Sequence, residues 1–129
     1  MSLATIMVVD DEEDILILLK RLLGSRGHRV ITVRDGREAL RRMKEEKPDL
    51  VLLDIMMPGL SGYQLCKIIK QSSDTRSTTV AMLSAKSMDE DKVRALEDSG
   101  ADWYFTKPID TRRFAESVEW LLRNPPKRG

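Results

Sequence analysis

Short apolar runs alternate with longer amphipathic stretches along the whole chain. The runs are rich in valine, isoleucine, leucine and aromatic residues, a composition that favours β-strands. They occupy residues 6–9, 30–33, 50–53, 80–83 and 103–105. Each run is nearly continuous instead of alternating with polar residues, which is typical of strands buried on both faces of a sheet.

The stretches between these runs carry apolar residues at helical spacing. Ile15, Leu18, Leu19 and Leu22 follow an i, i+3, i+4, i+7 pattern, and Gly24 closes the segment. The same reasoning predicts four more helices. Two lie at 38–47, ended by Pro48, and at 88–98, where the apolar face is weak. The other two are marked by Leu65, Ile68 and Ile69, and by Phe114, Val118, Leu121 and Leu122. Five strands therefore alternate with five helices.

This alternation predicts an α/β fold, a doubly wound five-stranded parallel sheet with helices on both faces, flavodoxin-like and of (βα)5 type. The 129 residues suit one compact domain. We expect that domain to span residues 1–123, with 124–129 as a tail or a truncated linker. A stand-alone domain and a piece cut from a longer protein at Pro125 both remain open.

Composition and charge narrow the classes of function. Lysine and arginine number 22 against 21 acidic residues, so the net charge is +1 and no global field favours nucleic acid or an anionic membrane. The longest apolar run, 15–19, is far shorter than the ~20 residues that span a bilayer. The single Cys66 fits a reducing compartment. A cytoplasmic protein that binds neither membrane nor nucleic acid is therefore expected.

Chemistry-bearing residues follow several of the predicted strands. Asp10 and Asp11 come after the first strand, Asp54 after the third, Ser84 after the fourth and Lys107 after the fifth. Ligands in such folds bind beyond the carboxyl ends of the strands, so these side chains are expected at one edge. Clustered carboxylates repel unless a cation intervenes, and oxygen ligands suit Mg²⁺. An acidic cluster beside a lysine indicates a site for a dianionic phosphoryl group.

Each of these residues also has a simpler structural explanation. Asp11 begins a helix, where acids favour the positive end of the dipole. Asp54 could simply end a strand, Ser84 could belong to a turn, and Lys107 could lie on the surface before a helix that tolerates proline in its first turn. The functional site would be absent only if all of these explanations held at once. The spacing of the residues across one βα topology argues against that.

Other residues are interpreted as structural. His28, between Gly27 and Arg29, is expected to be a solvated loop residue, and Cys66 a small buried group. Three methionines are expected to fill the core, and the basic residues near 37–44 alternate with glutamates as on a solvated helix face. The methionines are Met7, Met43 and Met82.

Four motifs in this order resemble the receiver domain of two-component response regulators. The resemblance covers roughly residues 5–123. The motifs are Val8-Val9-Asp10-Asp11-Glu12; Leu52-Leu53-Asp54-Ile55-Met56-Met57-Pro58 with Gly62; Leu83-Ser84-Ala85; and Tyr104-Phe105-Thr106-Lys107-Pro108.

The resemblance implies a role for each acidic residue. Asp54 would be the phosphoacceptor. Asp11 and Asp54 would bind Mg²⁺ directly together with the backbone carbonyl of Met56, and Asp10 would bind it through water. Mn²⁺ is a possible substitute for Mg²⁺.

The resemblance also assigns the remaining residues of the set. Lys107 and Ser84 would contact the phosphoryl group, Ser84 and Tyr104 would form a conformational switch, and Pro108 is a candidate for a cis peptide bond. The donor would be a phosphohistidine of a histidine kinase or a histidine phosphotransfer protein. The face formed by residues 88–122 would change shape and signal to a downstream protein or output domain. Such a chain promotes its own phosphorylation and dephosphorylation and is not a turnover enzyme.

Three alternatives are weighed against this interpretation. A Mg²⁺-dependent phosphatase of the haloacid-dehalogenase type needs a second carboxylate two residues after its nucleophile, where this chain has Met56. A flavin mononucleotide module needs a phosphate loop after the first strand, where this chain has acidic residues from Asp10 onward. A phosphorylation-independent interaction domain would not need Asp11, Asp54 and Lys107 together.

Overall fold

The computed structural model describes residues 3–84 and 89–126, and within them five strands alternate with five helices. The strands are β1 (Thr5–Val9), β2 (Arg29–Val33), β3 (Leu50–Asp54), β4 (Thr79–Ser84) and β5 (Trp103–Thr106). The helices are α1 (Glu13–Gly24), α2 (Gly36–Glu46), α3 (Gly62–Gln71), α4 (Glu90–Ser99) and α5 (Thr111–Arg123). No helix among these residues is long and apolar enough to cross a bilayer.

All strand pairs are parallel, and the strand order is β2-β1-β3-β4-β5. The chain runs outward from β1 to β2 and then crosses back to place β3 on the other side of β1. The strand order therefore reverses between β1 and β3, which is where ligands bind in open α/β sheets. The predicted doubly wound parallel fold is confirmed.

The sheet separates two apolar layers. One layer packs α1 and α5 against one face, and the other packs α2, α3 and α4 against the opposite face. Alternate residues of the central strands serve the two layers: Ile6 and Val8 face α1 and α5, whereas Met7 and Val9 face the other three helices. The three central strands are therefore apolar at all positions except their end residues, as sheets covered on both faces require.

The buried face of α1 is rotated relative to the prediction. Leu16, Leu19 and Leu23 are buried, whereas Leu18 is 38% exposed. Ile15 also packs at the edge of the apolar layer. A helix with five apolar residues in its first two turns offers more than one i, i+3, i+4 stripe, and packing against the sheet selects among them.

Helix α2 begins earlier than predicted because Asp35 caps it. The Asp35 Oδ1 atom accepts a hydrogen bond from the backbone N–H of Glu38 at 2.9 Å, so the helix starts at Gly36. In α4 the described helix begins at Glu90, and the predicted start at Met88 lies outside the described residues.

The edge strand β5 departs from the expectation of burial on both faces. Trp103 and Tyr104 are 44% and 53% exposed. The two tryptophans Trp103 and Trp120 lie together on this surface with ring centroids 5.9 Å apart. The apolar run at 103–105 therefore reflects an aromatic surface beside α5 as well as a strand.

The interpretation of His28 as a solvated loop residue is wrong. Only 6% of its side chain is exposed. Its Nδ1 atom accepts from the backbone N–H of Ala4 at 3.3 Å, and Nε2 lies 2.6 Å from Glu119 Oε1. Since Nδ1 is an acceptor, Nε2 carries the proton and donates to the Glu119 carboxylate. His28 thus links the start of the sheet to α5.

The other structural interpretations are confirmed. Cys66 is buried on α3, and burial raises the pKa of its thiol. The methionines Met7, Met43 and Met82 are at most 2% exposed and belong to the apolar layer under α2, α3 and α4.

Candidate functional site

The ends of β1 and β3 bring two buried aspartates together. Val9 pairs with Leu53 in the parallel register, and Asp10 and Asp54 each follow that pair by one residue. Asp10 is fully buried and Asp54 is 4% exposed. Two adjacent carboxylates are therefore held under the surface at the point where the strand order reverses.

Backbone N–H groups orient both carboxylates. The Oδ1 atom of Asp10 accepts from the N–H of Glu12 at 2.9 Å, and the Oδ1 atom of Asp54 accepts from the N–H of Met56 at 3.3 Å. Each contact spans two residues, the pattern by which aspartate side chains stabilise turns after strands.

Lys107 supplies a positive charge to this edge of the sheet. It follows β5, and its backbone N–H donates to the carbonyl of Ser84 at 2.8 Å. Its Nζ atom lies 3.2 Å from Asp10 Oδ2, 3.4 Å from Asp54 Oδ1 and 3.5 Å from Glu12 Oε1. The peptide bond between Lys107 and Pro108 is cis. One ammonium group is therefore shared by three carboxylates.

The electrostatics of the cluster show that these charges are poorly balanced. Burial, with repulsion from Asp10 added to it, raises the pKa of Asp54 from 3.8 to about 6, although Lys107 opposes the shift. Burial also raises the pKa of Asp10, against the Glu12 N–H and Lys107. Burial alone would lower the pKa of Lys107, but Asp10 and Asp54 raise it above its ordinary value. Both aspartates therefore hold their negative charge at a cost.

Gly62 allows the chain to pass close to Asp54. A Cβ atom at this position would lie 2.3 Å from the backbone oxygen of Asp54 and 2.8 Å from the Cα atom of Ile55. Gly62 also donates its N–H to the Ile55 carbonyl at 3.0 Å. Next to it, Ser61 and Gln64 form a capping box that fixes the start of α3. The loop after β3 is thus anchored on both sides.

The remaining predicted site residues lie around this cluster. Ser84 is buried at the end of β4, where its hydroxyl donates to the Phe105 carbonyl at 3.2 Å. Tyr104 is exposed, and Met56 is 67% exposed. Asp11 is exposed and lies outside the carboxylate cluster, so its role as a direct metal ligand stays a prediction.

The donor set fits a hard divalent cation. Oxygen atoms of Asp10, Glu12 and Asp54 lie within 4.8 Å of one another. Carboxylates are preferred ligands of Mg²⁺, and a divalent cation would offset the burial and the repulsion from Asp10 that raise the pKa of Asp54. From the sequence, Glu12 is predicted only as part of the Val8–Glu12 motif and of the acidic run that begins a helix, with no role at the site.

Comparison with known proteins identifies the family. The sequence profile of the response regulator receiver domain matches residues 6–119. The chain belongs to this family. Receiver domains act in signalling and as a family bind Mg²⁺, and the family assignment does not favour the phosphatase alternative.

Two transcriptional regulators illustrate the sequence similarity. The chain is 46% identical over 118 residues to the alkaline phosphatase synthesis transcriptional regulatory protein PhoP of Bacillus subtilis, covering 92% of this chain and 48% of that protein. It is 40% identical over 121 residues to the phosphate regulon transcriptional regulatory protein PhoB of Rhizobium meliloti, covering 94% and 53%. The chain therefore spans about half the length of these relatives.

Solved structures show the same architecture. The signal receiver domain of a signal transduction histidine kinase from Syntrophus aciditrophicus superposes with a TM-score of 0.89 at 33% identity, covering 98% of this chain and 95% of that one. The chemotaxis protein CheY4 of Vibrio cholerae gives a TM-score of 0.85 at 25% identity, covering 92% and 98%. The same domain is thus found in proteins of different function.

Proposed function

We propose that this receiver domain accepts a phosphoryl group from a phosphohistidine onto Asp54. The observation that carries the proposal is the position of the Lys107 ammonium, 3.2 and 3.4 Å from the buried carboxylates of Asp10 and Asp54 at the ends of β1 and β3. The donor would be a histidine kinase or a histidine phosphotransfer protein, the partner class that the family implies.

In the proposed reaction an Asp54 carboxylate oxygen attacks phosphorus and forms an acyl phosphate. The phosphorus–nitrogen bond breaks, and its electron pair returns to the imidazole of the donor. Lys107 lies beside Asp54 and would neutralise charge on the phosphoryl oxygens. The carboxylates of Asp10, Asp11 and Asp54 and the carbonyl of Met56 would hold Mg²⁺, with Mn²⁺ as a substitute. When bound, the ion would supply positive charge to the transferring group.

We propose that the acyl phosphate alters the surface formed by α4, β5 and α5. New acceptor oxygens would attract the Ser84 hydroxyl, which now donates to Phe105 at 3.2 Å. Tyr104, half exposed on β5, would then turn inward. It lines a groove of about 610 Å³ together with Val93 and Leu96 of α4, which offers the side chain room to move.

This surface would contact the downstream partner or output domain. The domain would end near residue 123, where α5 ends, with 124–129 as a tail or linker. Direct contact with nucleic acid or a membrane is not part of the proposal. The cytoplasmic location and the self-catalysed dephosphorylation expected from the sequence stay predictions.

The acceptor is tested by labelling with acetyl phosphate and Mg²⁺, followed by intact-protein mass spectrometry. Wild type is expected to gain one phosphoryl group, and Asp54→Asn none. Asp98→Asn, exposed on α4, is the matched control and should label as wild type does. Stoichiometric labelling of Asp54→Asn would move the acceptor elsewhere, and sustained phosphate release from a phosphoester would revive the phosphatase alternative.

The conformational change is tested by fluorescence, because both tryptophans of the chain, Trp103 and Trp120, lie on the proposed surface. Phosphorylation of wild type is expected to change the tryptophan emission, and Asp54→Asn should show no change under the same conditions. Ser84→Ala should label yet change the emission less than wild type. An emission that stays constant while wild type labels fully would contradict the proposed switch.

A further inference from the structure

Glu12 occupies the N-cap position of α1 but does not cap the helix. Its backbone is extended, with φ −89° and ψ 114°, and its side chain makes no capping hydrogen bond. Good N-cap residues are short and accept from the next turn through a side-chain oxygen. The carboxylate of Glu12 lies instead 3.5 Å from the Nζ atom of Lys107.

The backbone N–H and the carboxylate of Glu12 are directed at the functional site, whereas its carbonyl accepts from the N–H of Leu16 at 3.3 Å in α1. Its backbone N–H donates to Asp10 Oδ1 at 2.9 Å, and its carboxylate shares Lys107 with Asp10 and Asp54. The two contacts act on different atoms, since the N–H orients a buried acid and the carboxylate holds the lysine. The N–H contact belongs to the turn after β1, so only the contact with Lys107 depends on the glutamate side chain.

Glu12 lies at the mouth of the site. Its side chain is 60% exposed, whereas the side chains of Asp10, Asp54 and Lys107 are 0%, 6% and 19% exposed. Among these four charged side chains Glu12 is the most exposed, and it lies beside the Lys107 ammonium that contacts Asp54. A negative charge there repels an anionic donor and also draws the Lys107 ammonium toward solvent.

We propose that Glu12 is a positioning and specificity-determining residue, which holds Lys107 at the mouth of the site and selects against small anionic phosphodonors. The inference rests on the proposed function of Asp54 and adds the discrimination between donors. A donor whose phosphoryl group is accompanied by positive charge would be affected less than a free dianion.

The test compares labelling by two small donors, acetyl phosphate and the less negative phosphoramidate. Glu12→Gln keeps the size and removes the charge. At Mg²⁺ concentrations that saturate both wild type and variant, labelling by acetyl phosphate should therefore accelerate about three- to tenfold, the size expected of one screened charge a few ångströms away. Labelling by phosphoramidate should accelerate less. High salt should shrink the difference between the donors, since exposed charges are screened.

Two further variants separate charge from structure. Glu12→Asp keeps the charge and should restore the wild-type preference between donors. Glu13→Gln, the neighbouring residue that pairs with Arg34 outside the cluster, should leave both rates unchanged. The proposal would be overturned if Glu12→Gln accelerated labelling by both donors equally, or accelerated labelling by neither.

A measurement without phosphorylation tests the contact with Lys107 directly. In metal-free protein, the NMR resonance of the Lys107 side-chain ammonium should shift in Glu12→Gln and stay in place in Glu13→Gln. An unshifted resonance in both variants would overturn the inference. A wild type that does not label at all would overturn the function of Asp54, while the resonance would still decide whether Glu12 holds Lys107.

Discussion

Two largely buried lysines lie at opposite ends of the strands, and they differ in how well the charges around them are balanced. Lys70, near the end of α3, has its Nζ atom 2.6 Å from Asp102 Oδ2, just before β5. Lys107, at the carboxyl ends of the strands, lies 3.2–3.5 Å from three carboxylates. The first is a close pair of opposite charges, and the second is one positive charge among three negative ones.

Both charged groups of the Lys70–Asp102 pair also make hydrogen bonds to the backbone. The Lys70 ammonium donates to the carbonyl of Thr78 at 2.7 Å, and Asp102 Oδ2 accepts from the N–H of Val80 at 2.8 Å. These contacts join the end of α3, the start of β4 and the residue before β5. A largely buried pair with such additional hydrogen bonds keeps its geometry without any further ion.

The cluster around Lys107 lacks this balance. Asp54 has a raised pKa because burial and Asp10 both oppose its charge. Such an arrangement costs stability, and a bound cation would restore stability by balancing the negative charge. The satisfied pair therefore holds the fold, whereas ligands and chemistry act at the mismatched cluster.

Breaking the satisfied pair should have the largest effect on stability. Asp102→Ala removes the carboxylate that lies 2.6 Å from the Lys70 ammonium and the acceptor of the Val80 N–H. We expect the free energy of unfolding to fall by about 2–4 kcal/mol, measured by urea denaturation. Asp98→Ala, an exposed control, should change it by less than ~0.5 kcal/mol. Equal effects of the two substitutions would show that the Lys70 pair does not hold the fold.

Removing charge from the mismatched cluster should raise the free energy of unfolding instead of lowering it. At pH 7 without Mg²⁺, Asp54→Asn should stabilise the domain by about 1–3 kcal/mol, because Asp54 is then ionised against a raised pKa. The folded pKa of about 6 lies above the unfolded value of 3.8. Wild type therefore loses stability relative to the variant as pH rises from about 4 to about 6.

Urea denaturation between pH 4 and pH 7 measures this difference directly. The gap between Asp54→Asn and wild type should be near zero at pH 4, grow through pH 6, and shrink when Mg²⁺ is added to wild type at pH 7. Asp98→Asn should show no such growth with pH. If Asp54→Asn were less stable than wild type at neutral pH, the charges around Lys107 would not be mismatched as proposed.

Of the three substitutions, His28→Ala should change the free energy of unfolding least. His28→Ala removes the hydrogen bonds to Ala4 and Glu119, and we expect a loss of about 1–2 kcal/mol in the free energy of unfolding. Lys20→Ala, exposed on α1, serves as the control. Labelling of folded His28→Ala by acetyl phosphate should match wild type, and a slower rate would connect this edge to the site.

The sequence predicted the fold well because two periodicities repeat five times. Continuous apolar runs identify strands buried on both faces, and a spacing of three and four identifies the helices. The face of α1 was misplaced at Leu18 because several leucines permit more than one stripe. The burial of His28 was missed because its partner Glu119 lies 91 residues away, and no local pattern links the two.

The sequence by itself determined that Asp10, Asp54 and Lys107 would meet, since parallel strands bring their carboxyl ends to one edge of the sheet. Only the tertiary structure decided which acids face one another. Asp10 is buried beside Asp54, whereas the adjacent Asp11 is exposed and Glu12 returns to contact Lys107. Successive residues leave a strand in different directions, and the path of the turn into α1 sets those directions.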